Sequence, residues 1–140
     1  MFVRLSEKES LQILGTGRVG RLGCIVDGGP YIIPINYYFE EGCIYSHSLP
    51  GLKTKALNEN PRACLQVDVV ESDVRWESVL AFGNYEEVTN PTERSKILNM
   101  LLRRFPMLTP VEAAIFDDAV PPSVIVFRIR LDRLTGVAEK

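Results

Sequence analysis

Apolar and polar side chains alternate along several short segments of this chain, which is the pattern of β-strands that bury one face. From Ala63 to Val69 every second residue is small or aliphatic, with Gln66 and Asp68 among the residues between. The predicted strands span Val19–Asp27, Tyr31–Phe39, Cys43–Ser48, Ala63–Val69, Arg75–Val88 and Val124–Leu131. After the last of these strands, we expect Asp132–Lys140 to be a short tail.

Three helices interrupt the predicted strands. Ser6 and Glu9 form a capping-box pattern before an apolar run that stops near Gly17. A short helix is predicted over Lys53–Asn58. The third helix begins after Asn90 and carries an apolar stripe at helical spacing. The stripe consists of Ile97, Leu98, Leu101, Leu102 and Phe105. The segment Met107–Pro122 is ambiguous, with one helical turn expected at Glu112–Phe116.

Strands joined by short turns, with helices inserted between some of them, favour an antiparallel barrel or sandwich over a parallel sheet. The 140 residues suffice for one domain over residues 1–140. Apolar residues make up 46% of the chain and the net charge is −2, which excludes disorder and a strongly basic nucleic-acid-binding surface. No apolar stretch is long enough to span a membrane, and no signal-peptide pattern is present.

Cysteine usage argues against two kinds of stabilising site. Cys24, Cys43 and Cys64 are odd in number and widely spaced, so neither a disulfide framework nor a zinc site is predicted. We therefore expect a cytoplasmic protein without a metal.

The chain has few side chains suited to acid–base catalysis. His47 is its one histidine, and no paired-carboxylate or nucleophile motif accompanies it. His47 has two interpretations: a partly buried structural residue or a catalytic residue. An enzyme with so few acid–base groups is expected to take its chemistry from a cofactor.

The segment Ser46–Lys55 predicts an anion site. Ser46 and Ser48 end a strand, a Pro-Gly turn follows, and Lys53 lies in the first turn of a helix. Hydroxyls, free helix N–H groups and a lysine together suit a phosphate. The alternative is an ordinary turn with surface lysines.

A second candidate surface is the strand that contains Pro34. Because proline has no ladder donor, we expect this strand at a sheet edge, where Asn36 and nearby backbone groups could bind a ring system. An edge strand with no ligand fits equally well. Trp76 and Ser78 share one face of the long strand, and packing in the core or at a dimer interface is the simpler role for that tryptophan.

Six segments in this order resemble the pyridoxamine 5′-phosphate oxidase-like, FMN-binding split-barrel family over nearly the whole chain. They are Gly20-Arg21-Leu22-Gly23, Pro30–Tyr37, Ile44–Ser48 with Gly51 and Lys53, Asn60–Asp68, Trp76–Gly83 with Glu86–Val88, and Val126–Leu131 with Leu134-Thr135-Gly136.

The resemblance implies a mainly β (α+β) fold, a six-stranded antiparallel split barrel with short flanking helices. It also implies a homodimer that binds FMN in two clefts at the interface. By position, the phosphate would be held by Ser46, Ser48 and Lys53. The isoalloxazine would be lined by Pro34, Ile35, Asn36 and Tyr37, with His47 beside the flavin, and the neighbouring subunit would supply Trp76 and Ser78.

Departures from the family pattern limit what can be carried over. The chain ends without the arginine-rich motif with which the true oxidases hold pyridoxal phosphate. The context of His47 is similar to the subgroup of 5-nitroimidazole resistance proteins, where the matching histidine is implicated in drug reduction. Thr54 replaces a second lysine of many relatives.

Three functions follow as hypotheses. The first is an FMN-dependent oxidoreductase that acts on a small planar substrate, with His47 as its tentative catalytic residue. The second is a protein that binds a flavin, a haem or a deazaflavin without turnover. The third is a structural dimer without a cofactor.

Overall fold

In the computed structural model the chain is described over residues 1–105 and 124–140. The helical turn expected at Glu112–Phe116 lies outside these residues. The strands are β1 (Phe2–Arg4), β2 (Val19–Val26), β3 (Gly29–Asn36), β4 (Tyr38–Glu40), β5 (Cys43–Ser48), β6 (Arg62–Ser72), β7 (Arg75–Glu87) and β8 (Ile125–Glu139). The helices are α1 (Glu7–Thr16), α2 (Leu52–Glu59) and α3 (Pro91–Arg104).

The strands form one antiparallel sheet in the order β3-β2-β6-β7-β8-β5-β4, and β1 pairs with β8. The two end strands, β3 and β4, are separated in the chain by the single residue Tyr37. The sheet therefore curls back on itself into a split barrel, with a seam between the edge of β3 and β5. The predicted fold class is confirmed, but the expected count of six strands is wrong because the described residues form eight.

The two additional strands are β4, which results from a break in a predicted strand, and β1, which pairs with an extension of β8. The strand predicted over Tyr31–Phe39 is broken at Tyr37. The backbone N–H of Tyr37 donates to the Arg18 carbonyl, and its side chain is buried in the core. The expected tail Asp132–Lys140 instead continues β8 to Glu139 and pairs with β7 and β1. Leu134 in this segment and Leu131 just before it pack against the core, and this apolar contact offsets the polar residues between them.

Two tight turns give the barrel its hairpins. Asp27 and Gly28 connect β2 to β3 with φ angles of 50° and 78°. Glu41 and Gly42 connect β4 to β5 with nearly the same angles, 48° and 78°. Positive φ at both central residues is the type I′ geometry, whose twist matches that of paired strands.

The helix signals of the sequence are present in the structure. Ser6 Oγ accepts from Glu9 N–H and Glu9 Oε1 accepts from Ser6 N–H, so the capping box starts α1. Asn90 Oδ1 accepts from Glu93 N–H at the start of α3, and that helix ends before Phe105.

The core has two parts. The larger fills the barrel and is closed by Leu14 of α1 and Leu57 of α2. The smaller lies outside the barrel wall, where Ile97 and Leu101 of α3 pack on β5, β8 and the end of β7. Helix α2, which follows β5 directly, closes the end of the barrel at which β5 finishes.

Candidate functional site

The seam brings the two candidate segments of the sequence together. Ser46 Oγ donates to the Asn36 carbonyl at 2.6 Å, which links β5 to the edge strand β3. Backbone groups of residues two apart in a strand point in the same direction, so those of Pro34 also face the seam. A proline costs no ladder hydrogen bond there, and β3 is an end strand of the sheet as its sequence predicted.

The predicted anion-binding side chains meet where β5 ends and α2 begins. Lys53 Nζ donates to Ser48 Oγ at 2.5 Å. Ser48 Oγ in turn donates to its neighbour's carbonyl, Leu49 O, at 2.8 Å. The lysine charge is thus fixed in position by a neutral hydroxyl.

Burial shapes the electrostatics of Lys53. The side chain is half-buried, and desolvation lowers the pKa of its ammonium, with the Cys24 thiol nearby acting in the opposite direction. No carboxylate of residues 1–105 or 124–140 forms an ion pair with it. A half-buried cation without an anion gains more from a bound phosphate than a solvated lysine would.

The first turn of α2 adds donors to this place. Thr54 Oγ1 accepts from the Gly51 N–H at 3.0 Å and is itself buried. The N–H groups of residues 52–54 are those that a helix leaves without an intrahelical acceptor. Thr54 therefore acts as a structural residue that orders this turn, and the cation of the site is Lys53.

Strand alternation separates His47 from the two serines. Ser46 and Ser48 lie on the inner face of β5, whereas His47 shares the outer face with Tyr45. His47 is half-buried and lies opposite Val126 of β8. Tyr45 stacks on Tyr38, with ring centroids 4.9 Å apart, beneath α3.

Two of the predicted ring-binding residues belong to the core. Ile35 is buried in the barrel. The side chain of Tyr37 is fully buried, its hydroxyl donates to Leu14 O at 2.6 Å, and burial raises its pKa to about 12. Of this segment, Pro34 and Asn36 have exposed side chains.

Trp76 and Ser78 lie on the outer face of β7, away from the pair formed by Lys53 and Ser48. The Trp76 ring packs edge-on against Phe2, with centroids 6.4 Å apart. Ser78 Oγ accepts from Gln66 Nε2 at 3.0 Å, and the same amide donates to Asp68. Within one chain, the structure does not bring Trp76 or Ser78 to the predicted phosphate site.

An apolar groove of about 610 Å³ lies on the outer face of β2, β3, β6 and β7, and the sequence analysis did not predict it. Cys24 is among its lining residues although its side chain is buried with the barrel core. The signal that could have revealed it is Gly23, a glycine in the middle of a strand, because such a residue often marks a close approach. The groove's principal side chains are Ile25, Ile32, Leu80 and Phe82, with Arg21 and Arg62 at its rim.

The described residues contain no cluster of three histidine, cysteine or acidic side chains placed to hold a metal ion. None of their helices is long and apolar enough to cross a membrane.

Comparison with known proteins identifies relatives over the whole chain. The family model described as pyridoxamine 5′-phosphate oxidase matches residues 6–138. An uncharacterized protein of Rhizobium meliloti (strain 1021) is 37% identical over 89 residues, which are 63% of this chain and 59% of that protein. The match thus spans less than two thirds of that relative's length.

Solved structures agree in fold. A FAD-binding protein from Mesorhizobium loti superposes with a TM-score of 0.81 at 28% identity, over 100% of this chain and 99% of that one. A candidate 5-nitroimidazole antibiotic resistance protein from Bacteroides thetaiotaomicron gives a TM-score of 0.80 at 21% identity, over 99% and 87% of the two chains. At that lower identity the likeness concerns the fold alone.

Proposed function

The chain belongs to the pyridoxamine 5′-phosphate oxidase family, and from this membership we propose that it binds FMN and acts as a flavin-dependent oxidoreductase. The observation that carries the proposal is the pair of Lys53 and Ser48 at the start of α2. A half-buried ammonium beside unpaired helix N–H groups suits a phosphate ester. The similarity to a FAD-binding protein over its full length supports a flavin.

The residues along the seam fit the rest of the cofactor. The phosphate would be held by Lys53 and Ser48, with Ser46 holding the edge strand in place through Asn36. The backbone groups of β3 that face the seam, and the exposed side chains of Pro34 and Asn36, would bind the polar edge of the ring system. Ile35 and Tyr37 would support that strand from the core.

Bound flavin supplies the two-electron transfer that this chain's own side chains cannot perform. The protein's part would be to orient the substrate and to manage a proton. We propose His47 for the proton because it is the chain's one histidine and lies in β5 between Ser46 and Ser48, one residue before the strand ends. His47→Ala should then reduce turnover and leave FMN affinity unchanged.

A homodimer is the second part of the proposal. Trp76 and Ser78 lie on the outer face of β7, where their described contacts are with Phe2 and Gln66, and we propose that they contribute to the site of a second copy. The substrate is proposed to be small and planar. We also propose a cytoplasmic location, which the three free cysteines support because a reducing compartment keeps thiols unpaired.

The visible spectrum of the purified protein tests the proposal. We expect flavin bands that persist through gel filtration after addition of FMN and are lost after addition of riboflavin, since only FMN carries the phosphate. Retention of both flavins equally would contradict the phosphate site, and retention of neither would remove the flavin proposal. Failure of every reduced nicotinamide and acceptor to cycle a retained flavin would favour a binding protein without turnover.

A further inference from the structure

A second cavity, with a volume of about 360 Å³, lies between β4, the C-terminal end of α3 and the residue that follows α1 and Gly17. Glu40 in its lining pairs with Cys43, the first residue of β5, whereas Ser48 beside Lys53 is the last residue of that strand. The two ends of this six-residue strand are roughly 16 Å apart. The cavity is therefore separate from the proposed phosphate site, and it shares no described lining residue with the apolar groove.

Arginines dominate the charge of this cavity. Arg18, Arg103 and Arg104 line it, and Glu40 is the one carboxylate in its described lining. None of these four side chains forms an ion pair with a described residue. Three guanidinium groups and one carboxylate give the lining a net charge of +2. Like charges held close together raise the electrostatic free energy of the native protein, and a bound dianion would lower it.

Two of the arginines are fixed by carbonyl groups, which hold a guanidinium in place without neutralising it. Arg18 Nη2 donates to the Arg104 carbonyl, and its guanidinium stands 4.8 Å from the centroid of the Phe105 ring. Arg104 Nη2 donates to Gly17 O at 2.7 Å and to Gly15 O at 3.3 Å, at the C-terminal end of α1. The positions of both cations are thus set before a ligand arrives, which lowers the entropic cost of binding.

The arginines also retain unused hydrogen-bonding capacity. Arg104 Nε is buried and has no hydrogen-bond partner, which is costly for a charged donor. Because the guanidinium is a single delocalised cation, an anion at its outer nitrogens compensates the charge of the whole group. Arg103 is exposed and forms no hydrogen bond with a described residue, so its whole fork is available to a ligand.

The rest of the lining is apolar or aromatic, but small. Phe39 and Met100 are half-buried, so part of each side chain is open to a ligand. Tyr38 is buried and its ring stacks on Tyr45, so that face is already occupied. The volume of about 360 Å³ is near the lower limit for small-molecule sites. These features match a compact organic group and not a dinucleotide.

We propose that this cavity binds a phosphate monoester with a compact apolar or planar organic group. A phosphate monoester carries a charge of about −1.5 to −2 near pH 7, which matches the charge of the lining. Arginine forks bind phosphate oxygens through two parallel hydrogen bonds, and Phe39 and Met100 would contact the organic group. Binding at this place requires no flavin and no Lys53.

Isothermal titration calorimetry of the full chain with three probes tests the proposal. Phenyl phosphate carries both parts of the ligand, inorganic phosphate carries the charge alone, and benzyl alcohol carries the ring alone. We expect phenyl phosphate to bind most tightly. The proposed phosphate site at Lys53 would accept it too, so the titration is repeated with Lys53→Met. Two equivalents of phenyl phosphate per chain are expected for the wild type and one for Lys53→Met.

The cations are tested in the Lys53→Met protein. Arg103→Gln should weaken phenyl phosphate about twofold to fivefold, the size of one exposed charge contact. Since Arg103 has no described hydrogen bond, this variant should keep the fold. Combining it with Arg18→Gln should bring the loss to at least about tenfold, because a fixed charged donor is also removed. Lys96→Gln is the matched control, an exposed cation of α3 outside the cavity's lining.

Three results would overturn the proposal. The first is an unchanged phenyl phosphate affinity in the variant that lacks both arginines. The second is the absence of binding to Lys53→Met, which would assign all phosphate binding to the cofactor site. The third is an equal loss in Lys96→Gln and Arg103→Gln, which would reflect only the overall charge. A single equivalent in both wild type and Lys53→Met that weakens in Arg103→Gln would support this cavity and contradict the phosphate role of Lys53.

Discussion

At the scale of single residues, the charge of Lys53 is the feature on which cofactor recognition would depend. Its ammonium is half-buried and contacts a neutral hydroxyl, Ser48 Oγ. Desolvation lowers its pKa, so the lysine would also lose its charge at a lower pH than a solvated lysine. A phosphate dianion would reverse this effect by stabilising the charged form. Binding of the proposed cofactor and protonation of Lys53 would therefore be coupled.

Lys53→Met tests that coupling because it keeps the apolar stem and removes the charge. A hydrogen bond to a charged group contributes about 1.5–3 kcal/mol, so we expect the Kd for FMN to rise roughly tenfold to a hundredfold. Riboflavin binding should not change. Lys55→Met, at an exposed position of the same helix, is the control. Both affinities can be measured by flavin fluorescence quenching, and an unchanged FMN affinity in Lys53→Met would exclude Lys53 as the phosphate ligand.

Tyr37 allows a prediction about alkaline stability. Burial raises its pKa to about 12 from an ordinary value of 10.0. Between these values the unfolded chain loses the phenol proton while the native protein keeps it, so the free energy of unfolding falls as the pH rises. Tyr37→Phe should weaken this decline, and at neutral pH it should cost about 1–3 kcal/mol because Leu14 O loses its donor.

Urea unfolding of wild type and Tyr37→Phe at neutral pH and near pH 11 measures both effects. Tyr31→Phe, which removes the hydroxyl of a half-buried tyrosine at the groove, is the control variant for both unfolding measurements. Equal pH slopes for wild type and Tyr37→Phe would show that the Tyr37 proton is not held by burial.

The sequence predicted which residue types would form the site but not which face each would occupy. The spacing of Ser48 and Lys53 was sufficient to predict their contact, because a strand end followed by a Pro-Gly turn and a helix leaves few arrangements, whereas Ser46 bonds the Asn36 carbonyl instead. The surroundings of His47 and Tyr37 depend on which face of the strand points into the barrel. The alternation of apolar and polar residues alone does not decide this. The groove arises from four strands, and no local segment contains enough of it to predict it.

At the scale of elements, the longest ladder is that between β7 and β8, and it contains a register shift between Phe82 and Gly83. The irregularity brings the two backbones close together. A Cβ on Gly83 would lie 2.2 Å from Arg130 O, a backbone atom that cannot move without disturbing the ladder. Glycine is therefore required at this position.

Gly83→Ala should destabilise the protein by roughly 2–4 kcal/mol, since the clash is with backbone in the middle of the sheet. Gly15→Ala is the matched change, because a Cβ there meets nothing within 4 Å and Gly15 lies in α1. We expect it to stabilise by about 0.5–1 kcal/mol through helix propensity. Denaturant midpoints of both variants provide the measurement, and a neutral Gly83→Ala would contradict the tight approach.

Strand ends were harder to predict than strand centres, for a physical reason. The polar residues of Asp132–Lys140 resemble a tail, yet they pair along β7 because that strand is thirteen residues long and supplies a continuous ladder. Strand β1 has only three residues and forms against the same extension. Such pairings are determined by the length of a distant partner and not by local periodicity.

At the scale of the whole molecule, the candidate residues of one chain divide into two groups. Lys53 and Ser48 lie at the end of the barrel near α2, and Trp76 and Ser78 lie on the outer face of β7. If each cofactor site uses the first group from one copy and the second group from its partner, a two-fold dimer completes two sites at once. A cofactor site shared between two copies predicts an experimental outcome that a site within one chain does not predict.

Two variants that each bind FMN weakly, Lys53→Met and Trp76→Leu, should complement each other when they are refolded together and assayed at an FMN concentration that neither retains alone. In a mixed dimer one site receives both substitutions and the other receives neither. Random pairing makes half of the dimers mixed, so about a quarter of the sites should regain FMN affinity. Bound flavin per chain, measured by absorbance after gel filtration, would give that fraction, with each variant refolded alone as the baseline. A mixture that binds no more flavin than the two baselines would place Lys53 and Trp76 outside a shared site.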